Sequence, residues 1–156
     1  MIKSIRVDHR LLHGQVAFSW TSALNADCIL IANNDVVNDD LRKMTMKLAK
    51  PNGVKLVIKN VEDGIKAINS GVTDKYKLFV VVESIKDAYD LILGTNCTKA
   101  LNLGGTKATE ETRNISKAMN VTDHEIELLK DLVAKGIDVT IQMVPEDNAV
   151  PVQKVI

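Results

Sequence analysis

A chain of 156 residues can bury one sizeable core and is read as one domain over residues 1–156. Twenty basic and twenty acidic side chains cancel, which removes the broad positive field that non-specific nucleic-acid binding needs; no nucleic-acid partner is expected. Met1 runs straight into a strand-like segment without signal-peptide order, and no apolar run approaches the roughly 18 residues that span a bilayer, so a cytoplasmic protein is expected.

Short β-branched runs alternate with helix-length amphipathic segments from the start. Ile2 to Val7 suits a strand and Gln15 to Leu24 a helix. Cys28 to Ala32 is the second strand, Asp39 to Ala49 the second helix and Lys55 to Ile58 the third strand. A helix over Val61 to Asn69 precedes a strand over Lys77 to Val82, apolar at every residue from Leu78, as in a parallel sheet covered on both faces. A helix over Ser84 to Leu93 and a strand over Lys99 to Leu103 continue the rhythm. Thr106 to Val121 breaks it, being polar through Thr112 and then either a short strand or a loop from Ile115. The helix over Asp123 to Lys135 has Thr122 and Glu125 at its start and Gly136 past its end. A last strand over Asp138 to Gln142 leads into a tail, Met143 to Ile156, whose Pro145 and Pro151 suit an extended arm. This βαβ order implies right-handed crossovers and an α/β fold: a single open, mainly parallel, doubly wound sheet with helices on both faces.

Chemistry concentrates where the first strand meets the first helix, from Arg6 to Val16. His13 is a nucleophile suited to proton or phosphoryl transfer, and it stands at a helix mouth whose unpaired N–H groups favour an anion. Gly14 lets an anion approach the backbone, and Arg10 supplies a fork that matches phosphate oxygens. Asp8 is expected to orient Arg10 or the imidazole; pairing with Arg10 or Arg6 as structural glue is the alternative. Catalytic candidates are therefore His13, Arg10 and Asp8. The Asn102-Leu103-Gly104-Gly105-Thr106 segment is a second candidate, because two glycines at a strand end permit positive φ and free N–H groups. Gly14, Gln15, Gly104 and Gly105 are the phosphate-binding candidates.

Other residues carry less. Cys28 and Cys97 are expected as buried small hydrophobes rather than a disulfide or metal pair, and Trp20 as packing for the first helix. His9 and His124 are expected to face solvent. No GxGxxG follows the first strand and no GxxxxGK[ST] occurs, so nucleotide binding is unsupported.

The run Arg6-Val7-Asp8-His9-Arg10-Leu11-Leu12-His13-Gly14-Gln15-Val16, with Trp20 after it, resembles the RxDxRLxHGQV…W signature of one family. That family is the IIB component of the mannose/fructose/sorbose branch of the bacterial phosphoenolpyruvate-dependent sugar phosphotransferase system. Asn102-Leu103-Gly104-Gly105 resembles the family's Asn-Val-Gly-Gly loop, and the likeness extends over essentially the whole chain. His9 departs from the acidic or small polar residue common at its place, and Thr106 from a methionine. The resemblance implies about seven strands and a phosphoryl relay. A IIA phosphohistidine would donate to Nδ1 of His13, which would pass the group to a sugar held by membrane IIC and IID components, with no cofactor, nucleotide or metal. It further implies peripheral association with those components and an exposed His13, ringed by apolar and mixed-charge contacts suited to transient docking. A small α/β regulatory domain that holds an anionic metabolite without covalent transfer is the competing reading. The sugar is left open.

Overall fold

Alternation within the central strands decides the layering. In the computed structural model, which describes residues 1–156, β2 (Cys28–Ala32) and β4 (Leu78–Val82) are buried at every position. Ile29, Ile31, Phe79 and Val81 join one apolar core with Leu11, Leu12, Ala17 and Trp20, whereas Cys28, Leu30, Leu78, Val80 and Val82 join another on the opposite face. Such double burial requires helices on both sides of a parallel sheet. The first core is covered by α1 (Gly14–Leu24) and α2 (Asp40–Ala49), and the second by α3 (Val61–Ser70), α4 (Ile85–Thr95) and α5 (Asp123–Ala134).

The remaining main strands are β1 (Ile2–Asp8), β3 (Lys55–Lys59), β5 (Ala100–Gly105), β8 (Asp138–Ile141) and β9 (Val150–Pro151). The seven-stranded order is β3-β2-β4-β1-β5-β8-β9, parallel except for β9, which runs antiparallel to β8. From β1 the chain winds outward to β3 through α1 and α2, then returns through β4 to β5 and β8 by way of the other face. The connection after β1 thus leaves toward one face while those after its neighbours β4 and β5 leave toward the other. That is a topological switch point, and it opens a crevice at the carboxyl end of β1.

Local chemistry sets the boundaries. Side chains of Asp39, Asn60, Ser84 and Thr122 cap α2, α3, α4 and α5 by accepting from the N–H of Arg42, Asp63, Asp87 and Glu125, and Thr122 and Glu125 complete a reciprocal capping box. Asp39 and Ser84, placed inside helices by the sequence, are therefore caps outside them. Thr106–Val121 resolves into a small hairpin, β6 (Arg113–Asn114) against β7 (Asn120–Val121). Thr106 ties it to the end of β5: its hydroxyl accepts from the Asn120 N–H at 2.8 Å and its own N–H donates to the Ala118 carbonyl at 3.0 Å. The tail is only partly an extended arm, because β9 docks as the seventh strand and a 3₁₀ turn over Val152–Lys154 then buries Val152. No helix is long and apolar enough to cross a membrane.

Candidate active site

Strand β1 carries Ile5 and Val7 into the α3–α5 core, so period-two geometry turns Arg6 and Asp8 toward the α1 side. Asp8 ends the strand and is 1% exposed. Its Oδ1 accepts from the Arg10 N–H at 3.0 Å and its carbonyl from the Leu11 N–H at 2.9 Å, an Asx-type turn. Leu11 takes φ 59, a left-handed conformation that costs a non-glycine residue about 1–2 kcal/mol. Burial of Leu11 and Leu12 in the α1 core offsets it, at roughly 1.5–3 kcal/mol for each leucine. The turn delivers His13 to the N-cap position of α1 with φ −148 and ψ 139, its side chain making no capping bond.

The imidazole turns instead to Asp8. His13 Nε2 lies 3.2 Å from Asp8 Oδ2. An ionised carboxylate only accepts, so in the neutral ring this contact assigns the proton to Nε2 and leaves the lone pair on Nδ1. Arg10 Nε sits 3.4 Å from Asp8 Oδ1, with its side chain 48% exposed. Behind Asp8, Arg6 Nη2 approaches Oδ2 at 3.5 Å and is 3% exposed. Burial alone would push the Asp8 carboxyl up, but the Arg10 N–H, His13 and Arg6 together hold it below its ordinary value. Burial also draws Arg6 down to about 10, opposed by Asp8, which leaves it a cation at neutral pH.

Arg6 is the residue that sequence reasoning undervalued. It donates to the side-chain oxygen of Asn102 and to the carbonyls of Gln142 and Met143 at 2.9 and 2.8 Å. It also lies over the Trp20 ring at 4.9 Å, while Trp20 Nε1 donates to the Met143 carbonyl at 2.9 Å. A buried arginine at an inward strand position must find partners, and Asn102 stands directly across from it on β5. The available signal was only an arginine inside an apolar strand; its pairing with Asn102 and the share taken by Gln142 and Met143 join segments far apart in the chain.

The glycine pair needs correction. Neither Gly104 nor Gly105 has positive φ; both are buried residues of β5. The register shifts here, Val7 pairing with Leu103 and Asp8 with Gly105, so Gly104 is the skipped residue of a bulge. A Cβ on Gly104 would overlap the Arg6 guanidinium, and the Gly105 carbonyl accepts from the His9 N–H at 3.0 Å. The pair makes room for Arg6 and anchors the turn; it does not form an open anion nest. Gly14, by contrast, is exposed with φ +41 and open space beside it, and Gln15 follows it exposed in the first turn of α1.

His9 does not simply face solvent either. It is half-buried, and its Nδ1 is buried without a partner. It borders a polar cleft of about 510 Å³ shared with Glu83, Glu111, Glu125 and Lys107, whose net negative charge disfavours phosphate. His124 is exposed as expected, at 71% for its side chain. Cys28 is buried, Cys97 half-buried, and both are free thiols that burial pushes up.

Residues 2–156 match the PTS system sorbose subfamily IIB component. The chain belongs to that family. It is 35% identical to a probable phosphotransferase enzyme IIB component of Streptococcus pyogenes, covering 100% of this chain and 99% of that one. Against the sorbose-specific EIIB component of Lacticaseibacillus casei the identity is 32%, over 94% of this chain and 90% of the relative. The crystal structure of the IIBSor domain of the sorbose permease from Klebsiella pneumoniae superposes with a TM-score of 0.93 at 25% identity, covering 99% of this chain and 94% of that one. This sorbose-family IIB component is thus a phosphotransferase of the sugar-uptake system, a class that works with IIA and membrane IIC and IID components in general.

Proposed function

We propose that this IIB component is a histidine phosphocarrier in which Nδ1 of His13 takes a phosphoryl group from a IIA phosphohistidine and gives it to a sugar held by the IIC and IID components. The observation that carries this reading is the Asp8–His13 contact at 3.2 Å, which occupies Nε2 and leaves Nδ1 available at the start of α1. In the first step the N–P bond of the donor breaks as the Nδ1–P bond forms, and the electron pair returns to the donor imidazole. Such transfer proceeds in line through a loose transition state whose charge spreads over the equatorial oxygens. Arg10 and the N–H groups of Gly14 and Gln15 are suited to that charge, and the helix dipole adds to them. Phosphorylation leaves the His13 ring cationic, and anionic Asp8 stabilises it. In the second step a sugar hydroxyl attacks phosphorus and gives its proton to water or to a base of the sugar-binding partner, and the electron pair of the Nδ1–P bond returns to His13. Asp8, kept ionised by its neighbours, orients and stabilises rather than accepting that proton.

The test is incubation with phosphoenolpyruvate, the general phosphotransferase proteins and IIA. Acid-labile phosphate should form on the wild type and be lost in His13→Ala. An unlabelled wild type would exclude the reading. In this role residues 1–156 act as one domain that meets the membrane through its partners, and those partners set the sugar.

A further inference from the structure

Eight large apolar side chains are exposed, and four of them, Phe18, Leu41, Met44 and Leu48, lie on α1 and α2, the helices on His13's side of the sheet. The other four are scattered over the N-terminus, a loop, the end of α4 and the edge strand β9. Leu41, Met44 and Leu48 recur at spacings of three and four, so they form one stripe, opposite Met46, the one buried residue of α2. Their exposures of 75, 61 and 82% leave α2 apolar on two opposed faces, of which the fold uses one.

Helix α1 has a second peculiarity. Its sequence from Gly14 to Leu24 contains no charged residue, and its solvent side runs through Gly14, Gln15, Phe18 and Ser22. A surface helix depleted of charge around one exposed aromatic residue has the make-up of an interface core. Phe18 lies little more than one helical turn beyond His13.

We infer that α1 and α2 form the docking face for the phosphodonor protein, with Phe18 entering an apolar recess of that partner and the Leu41-Met44-Leu48 ridge packing beside it. This rests on the phosphocarrier reading. Charge points to the donor: half-exposed Arg10 beside His13 meets an anionic phosphoryl group, and residues 40–50 carry four basic side chains against the single acid Asp40, which fits an acidic rim on the partner. A bilayer surface fits less well, since membrane-surface helices carry lysine or arginine on their polar faces, and α1, which holds Phe18 beside His13, has neither; the basic side chains of the face are confined to α2 and Lys50 just after it.

The experiment compares two donors. Phosphorylated IIA must dock; phosphoramidate, a small chemical donor, need only reach Nδ1. In Phe18→Ser and in the triple variant Leu41→Ser/Met44→Ser/Leu48→Ser, KM for phosphorylated IIA should rise about tenfold or more, as loss of an interface anchor does, while kcat stays within about threefold. Labelling by phosphoramidate should be unchanged, and Val72→Ser, exposed at 59% in a loop after α3, should behave as wild type. Unchanged KM in both variants would overturn the docking face, as would a parallel fall in phosphoramidate labelling. Intact first transfer with impaired transfer to the membrane components would assign the face to those components instead. Binding of wild type, but not the triple variant, to anionic vesicles, or a wild-type dimer that the triple variant dissolves, would equally overturn it if KM is unmoved. A wild type labelled by neither donor would fail the phosphocarrier reading itself, whereas phosphoramidate labelling with unmoved KM fails only the docking face.

Discussion

Two histidines stand at either end of one short turn, His9 and His13, and their surroundings are opposite. His13 projects on the α1 side, where buried Asp8 holds one ring nitrogen and the helix start is open. His9 turns to the other side, where its buried Nδ1 has no partner and the adjoining cleft is acidic. The difference follows from strand alternation, which puts Asp8 on one face and its successor on the other. A histidine becomes a directed nucleophile only when its second nitrogen is engaged and anions are welcome nearby; proximity in sequence confers neither.

The largest effect expected from breaking that contrast is on labelling: His13→Ala should abolish acid-labile phosphate, whereas His9→Ala should retain it. Next comes the support beneath Asp8. Arg6→Met removes the cation that the buried carboxylate and three carbonyl oxygens share, and urea unfolding should show a loss of about 3–5 kcal/mol. Gly104→Ala, which drives a methyl group into the same guanidinium, should lose about 1–3 kcal/mol in that assay. A smaller, pH-dependent effect is expected at Asp8. Because its folded carboxyl lies below the ordinary 3.8, the stability it contributes is fully present above that value and is lost as pH falls through the lower folded value. Asp8→Asn should therefore flatten the acid limb of the stability profile and slow labelling of His13, while a limb identical to wild type would contradict the assigned network. The smallest effect is at His9: His9→Leu removes an unsatisfied nitrogen and should shift stability by less than about 1 kcal/mol.

Much of this architecture was legible in the chain. Parallel strands apolar on every residue announced a sheet covered on both faces, and the turn from Asp8 to His13 announced its chemistry through residue types alone. What escaped was whatever depends on distant segments meeting. Gly104 looked like a loop glycine because sequence cannot show that Arg6, far back in the chain but on the neighbouring strand, passes over it. β9 looked like an arm because a two-residue strand carries no periodicity and is defined by its pairing with β8. His9 looked solvated because nothing local reveals that Gly105 takes its N–H and draws it inward.

The position of the phosphoryl group on the labelled protein tests the central claim most directly. Nitrogen–phosphorus NMR of the phosphorylated chain should place the group on Nδ1 of His13, with Nε2 still protonated toward Asp8. Phosphate on Nε2 of His13, or on His9, would contradict the account.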